Sequence, residues 1–217
     1  DLNWSPLVWL TMLGGAAVIV AFVRLEHHVA ARGGMPLVDL ALMADRAFMR
    51  GLCAVFAFFF ANLSFYLVMT LFMQNALHLP PLHAGLVFVP LALAFVAASR
   101  YSPVRAKHRG TLVLIEGCAV QIAGLALIGA VVLLVAQPSA QLLALPLMVV
   151  GFGQGLVMAP LSSAVLSTVQ AASAGSGSGL YGTTNQIANA AGVAAIGAVF
   201  FAIQSDHSAL AALLASL

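Results

Sequence analysis

Apolar and polar positions along this chain form long unbroken greasy runs separated by short polar breaks. Six runs stand out, roughly Pro6–Val23, Gly51–Asn75, Leu82–Ser99, Thr111–Ala136, Gln141–Val169 and Ser176–Gln204. An α-helix needs ~20 residues to cross a hydrocarbon core, allowing for tilt, and these runs match that length. A seventh run, Ser208–Leu217, is too short to span and reads as the start of a further helix. Transmembrane β-strands alternate apolar and polar residues over segments of about ten residues, a pattern these continuous runs exclude. Pro80-Pro81 separates the second run from the third, and Gln137-Pro138 the fourth from the fifth. Proline interrupts helix hydrogen bonding, and turns this short predict antiparallel neighbours. The one long connection is 24–50. Its stretch Pro36–Phe48 mixes apolar and charged positions and predicts a short helix on the membrane surface, with a plain polar loop as the alternative.

Composition turns these runs from core helices into membrane spans. Of 217 residues, 63% are hydrophobic and 6% charged, and mean hydropathy is +1.08. A soluble domain carries about 25% charged residues. A chain so short of charge has lipid as its solvent, and each backbone amide must find its partner within its own helix. The net charge of +2 gives no reason to expect nucleic acid. Cys53 and Cys118 fall inside apolar runs and read as small hydrophobes, with no disulfide or metal spacing. Asp1 opens the chain without a basic leader or cleavage pattern, so a fragment or processed chain is expected.

Charge also predicts sidedness. The eight basic residues are Arg24, Arg32, Arg46 and Arg50 in the first connection and Arg100, Arg105, Lys107 and Arg109 in the third. Two spans separate these connections, so both lie on one side, which positive-inside bias makes the cytoplasm.

Polar groups inside spans need a reason. Glu116 is the only carboxylate well within one, and intramembrane charge is a functional candidate by default. It reads either as an ion pair with the nearby Arg105, Lys107 and Arg109 or as a proton-coupling group. In the second span Phe58, Asn62, Tyr66, Met69 and Met73 fall on one helix face. Such a face suits a cavity for variable greasy ligands or, equally, helix packing. Gly151, Gly153 and Gly155 predict close helix approach, and Pro160 a kink, with Gln154 facing a cavity. No strand precedes these glycines and no Lys follows them, so they are not a nucleotide loop. Asn185, Gln186 and Asn189 form a polar patch expected to turn toward a water-filled pathway or another helix. The pairs His27-His28 and His78 with His83 sit at breaks without acidic or Cys company, so neither a metal site nor a cofactor is expected. No nucleophile–base pair emerges, and the chain is not expected to be an enzyme.

Three stretches carry a family resemblance: PLVDLALMADRAFMRG (36–51) leading to LFMQNALHLPPLHAGLVFVPLAL (71–93), then GFGQGLVMAPLSSAVLSTV (151–169), then AGSGSGLYGTTNQIANAAGVAAIGAVF (174–200). In order and spacing they resemble the fourteen-span drug/proton antiporter branch of the major facilitator superfamily. That resemblance implies an all-α integral membrane bundle, the C-terminal half of a major facilitator fold, with six full spans and a truncated seventh. Residues 1–24 would be a linker-region helix, 25–50 a cytoplasmic loop with its interfacial helix, and 51–217 the bundle. Residues 100–110 (RYSPVRAKHRG) would form the gating loop, though without the Asp the family often carries there, and 170–175 lacks the family's usual acid. The implied function is proton-driven efflux of hydrophobic or amphipathic compounds by alternating access, with the missing N-terminal half, protons and the bilayer as partners. A nutrient or metabolite permease of the same superfamily is one alternative, and a membrane-embedded enzyme or assembly subunit without transport another.

Overall fold

The structure is a computed structural model that describes residues 6–31, 39–135 and 138–206. Among them every element is helical: α1 (Pro6–Ala31), α2 (Leu40–Ala44), α3 (Arg46–Asn75), α4 (Pro81–Val87), α5 (Val89–Arg109), α6 (Leu112–Leu134), α7 (Ala140–Leu166), a 3-10 turn (Ala171–Ser173) and α8 (Ala174–Asp206). Among the described residues five stretches are long and apolar enough to cross a membrane: Trp9–Glu26, Arg46–Asn75, Pro81–Arg109, Leu112–Leu134 and Ala140–Leu166. At 1.5 Å per residue the 33 residues of α8 reach well beyond a bilayer core, although small and polar side chains crowd its first half. The predicted start of a last helix, Ser208–Leu217, lies outside the described residues, as do Arg32 and the beginning of the expected surface helix.

Several boundaries differ from the expectation, each for a local reason. The second span begins at Arg46 because Asp45 caps it, its carboxylate accepting from Ala47 N at 2.7 Å and Phe48 N at 3.3 Å. What remains of the surface helix is the single turn α2. The third span is broken at Phe88, where Pro90 in the first turn of α5 has no N–H to offer. The largest difference concerns Arg100–Arg109. The family resemblance implies a gating loop here; these residues are the last turns of α5, helical straight through Pro103. Two cationic side chains in its final turn, Lys107 and Arg109, lie at the negative end of the helix dipole, which favours continuing the helix. The reversal into α6 is left to Gly110, at φ 56° and ψ −137°, a conformation only glycine adopts without strain.

Packing arranges these helices into two intimate groups: α5 and α6 on either side of α7, and α3 against α8. The first is set by glycine. A Cβ on Gly151 would lie 2.2 Å from Leu91 O, and one on Gly155 2.5 Å from Phe95 O, so α7 rides on the bare backbone of α5. Gly153 meets Gln121 N on α6 in the same way, at 2.6 Å. In the second group Gly192 on α8 sits against Phe60 O of α3, where a Cβ would approach to 2.1 Å. Between the groups lies a core of fully buried Phe72, Met69, Met73, Leu143, Leu147 and Phe200. Gly51 meets Val165, and Lys107 shares a cavity with Ser163 and Ala164. The basic start of α3 and the basic end of α5 therefore flank the same end of α7. The window Trp9–Glu26 of α1 is unburied, leaving Leu10, Leu13 and Val18 bare for lipid or another protein surface.

Candidate functional site

One cavity, of about 320 Å³, gathers three residues singled out by sequence. Asn62 and Tyr66, one turn apart on α3, meet Gln154 of α7 there, and Phe88, Leu91, Ala92, Phe95 and Met158 complete the wall. The approach of α7 to α5 at Gly151 and Gly155 is what carries Gln154 to this depth. Gln154 is only 2% exposed. The Tyr66 hydroxyl donates to its Oε1 at 2.8 Å, while its Nε2 is buried with no hydrogen-bond partner. Buried polar groups are nearly always paired, so an amide left half-satisfied in this setting calls for an explanation. The Tyr66 ring is itself held between Phe65 and Phe88, each with a centroid 5.6 Å away. A ring wedged in this way presents its hydroxyl in one direction.

Other predicted residues lie elsewhere. Met69 and Met73, on the same face as Tyr66 by helical spacing, are sealed in the apolar core and do not line the cavity. Asn189 Nδ2 donates to Asn185 Oδ1 at 2.6 Å, a pairing along α8 itself, and Gln186 is exposed. None of the three lines this cavity. Pro160 borders a different one, of about 450 Å³, between α5, α6 and α7 at their basic end, with Pro103, Lys107 and Thr111. Sequence reading passed over the aromatic wall of α4 and α5. Phe88, Leu91, Ala92 and Phe95 stand at i, i+3, i+4 and i+7, a helix-face spacing that was there to be found. It also passed over Gln121, which with Ser64 borders a small cavity of about 140 Å³ between α3 and α6.

Glu116 is engaged by two guanidinium groups. Arg105 Nε donates to Oε2 at 2.6 Å and Arg109 Nη1 to Oε1 at 2.5 Å. Arg105 also reaches the Tyr101 hydroxyl at 3.0 Å and lies over that ring. Arg100 and Lys107 are exposed and take no part in this cluster. Of the two roles that sequence left open for Glu116, the ion pair is the one with its partners in contact, and it staples the end of α5 to the start of α6 across Gly110. With Arg109 half exposed, solvent and salt screen the attraction. Glu116→Gln should therefore lower the melting temperature modestly at low ionic strength, by an amount that shrinks as salt is added. A thermal unfolding series in detergent checks this, and a loss independent of salt would contradict it. A second tie joins α2 to α8: the Asp39 N–H donates to Ser176 Oγ at 3.1 Å and Ser173 Oγ donates to Asp39 Oδ2 at 2.6 Å.

Long apolar helices packed around this uncharged cavity define a multi-pass membrane protein. The family profile of the Major Facilitator Superfamily matches residues 1–193, and the chain belongs to that family, whose members are generally not enzymes. It is 28% identical over 218 residues to a probable actinorhodin transporter of Streptomyces coelicolor, covering 95% of this chain and 36% of that protein. It is 30% identical over 207 residues to the multidrug resistance protein Stp of Mycobacterium tuberculosis, covering 93% and 36%. It is 28% identical over 200 residues to the drug efflux pump JefA of the same species, covering 92% and 38%. The chain thus spans little more than a third of the length of these bacterial relatives. It is a multi-pass protein of the cell membrane.

Proposed function

We propose that this chain forms part of a secondary transporter that exports hydrophobic or amphipathic compounds by alternating access, driven by protons. The observation that carries this reading is the Tyr66–Gln154 pair at the wall of a 320 Å³ cavity without a charged lining residue, inside a membrane bundle. Sites for small molecules are typically apolar and aromatic with a few well-aimed polar groups. The names of the relatives, a probable antibiotic transporter and drug efflux proteins, support the same direction and substrate type.

In this reading Asn62, Tyr66 and Gln154 contact substrate. Asn185, Gln186 and Asn189 line the pathway on the side of a second, N-terminal half contributed by the rest of the protein. Transporter halves of this kind rock about a site near the bilayer midplane. Gly151, Gly153, Gly155 and Pro160 let α7 slide and bend against α5 and α6. The basic end of α5, with Arg100, Arg105, Lys107 and Arg109, lies on the cytoplasmic side and gates access through its tie to Glu116. Protons would be carried chiefly by acids outside this chain, since its one intramembrane carboxylate is occupied by Arg105 and Arg109.

The test is efflux of Nile red, a neutral lipophilic dye, from vesicles bearing the intact transporter under an imposed pH gradient. Gln154→Ala and Tyr66→Phe should each reduce efflux by on the order of tenfold, the worth of a buried hydrogen bond to substrate. Asn62→Ala should reduce it less, because this amide is only partly buried. Unchanged efflux and unchanged substrate range in all three, at normal folded yield, would sink the reading.

A further inference from the structure

We infer that the cavity recognises an uncharged aromatic compound by a carbonyl-type oxygen, with Gln154 Nε2 as the donor that reads it. This rests on the cavity being the substrate site and adds the class of molecule it takes.

Three features point to that chemistry. The Gln154 amide has its oxygen engaged by the Tyr66 hydroxyl at 2.8 Å, which fixes its orientation. Its Nε2, on a residue 2% exposed, has no partner. An amide N–H buried without an acceptor is destabilising, so a ligand that brings an acceptor to it supplies the bond that no protein atom provides. A ligand that brings a methylene to the same place leaves the donor unpaired. Besides the partly buried amide of Asn62, the remaining lining is Phe88, Phe95, Leu91, Ala92 and Met158 with the Tyr66 ring, and that apolar part suits a flat body. No Asp, Glu, Lys, Arg or His is among the eight lining residues. A cationic or anionic group would be desolvated there with no counter-charge, which disfavours charged ends.

The intact transporter in lipid nanodiscs, corrected against empty nanodiscs, should be tested with a matched pair of tritiated compounds. The pair is 9-fluorenone and fluorene, which share one tricyclic skeleton and differ by a carbonyl in place of a methylene. Fluorenone should bind on the order of tenfold more tightly, the usual effect of leaving a buried donor unpaired in the poorer complex. Gln154→Leu should bring the ratio to about one by weakening fluorenone and not fluorene. Gln154→Met, closer in shape, serves if the leucine variant misfolds. Tyr66→Phe should lower the ratio part of the way, by freeing the amide to turn.

Equal affinities in the unaltered protein, a ratio that survives both Gln154 variants, or no fluorenone binding up to its solubility limit would each overturn the inference. Nile red efflux from the same preparation separates this from the broader reading. Efflux without a fluorenone preference removes the ligand class alone. A preference that depends on Gln154 without any efflux removes the transport reading and keeps the binding site.

Discussion

Gly151→Val is expected to yield a transporter that no longer survives extraction as a monodisperse, cooperatively melting particle. The obstacle to its side chain is main chain: a Cβ at this position would lie 2.2 Å from Leu91 O and 2.9 Å from the carbonyl carbon behind it. A flexible side chain could swing aside, but a helix backbone cannot, so α7 must leave α5 along the contact that also holds Gly155 on Phe95 O. Between helices in lipid no hydrophobic effect offsets such a separation, because lipid tails are as apolar as the side chains. Even Gly151→Ala should destabilise by about 2–3 kcal/mol, the upper part of the range for overpacking a closed interface. The shift would also withdraw Gln154, three residues along α7, from Tyr66. Gly182 on α8 supplies the control, since a Cβ there meets nothing within 4 Å. Gly182→Ala should be neutral or stabilising by up to about 1 kcal/mol, the helix-propensity difference. Thermal melts and size-exclusion profiles in one detergent decide the matter. A Gly151→Ala melting temperature equal to that of the unaltered protein would mean that α5 and α7 do not pack as described.

That glycine strip was readable in the sequence because close helix packing in membranes has a compositional signature, and Gly151, Gly153 and Gly155 carry it. Existence and order of the long helices were readable for the same reason: hydrocarbon admits little besides helices, so an apolar run of the right length has few alternatives. The end of α5 was not. Arg100–Arg109 has the composition of a loop, but its charges are cationic and fall at a helix C-terminus, where they favour more helix. Within the site, Gln154 and Tyr66 stood out as polar groups in greasy surroundings, yet their contact spans 88 positions of sequence and depends on two helix interfaces. The phenylalanines of α4 and α5 were hidden by abundance. In a chain that is 63% hydrophobic, an apolar face pointing to a cavity has the same composition as one pointing to lipid. Only packing distinguishes them.

The second large effect concerns a carbonyl that Pro160 deprives of its partner. In a continuous helix the N–H of residue 160 would bond to the carbonyl of residue 156; proline has none, which leaves Leu156 O open within α7. Membrane helices tolerate proline when a neighbour re-satisfies the freed group. Here that neighbour is Ser102 of α5, fully buried, whose hydroxyl donates to Leu156 O at 3.1 Å. The glycines at 151 and 155 bring α5 near enough for so short a side chain to reach. Ser102→Ala should therefore destabilise by about 1–3 kcal/mol, because the carbonyl loses its donor where water does not replace it. In a Pro160→Ala background the restored N–H serves Leu156 O from within the helix, and the same serine substitution should be nearly silent. The two substitutions are expected to couple by about 1 kcal/mol or more in a double-mutant cycle read from melting curves. If Pro160 also supplies the bend needed for alternating access, Pro160→Ala should melt no lower than the unaltered protein and yet slow Nile red efflux. Equal destabilisation by Ser102→Ala in both backgrounds would show that the serine is held for some purpose other than repairing the proline.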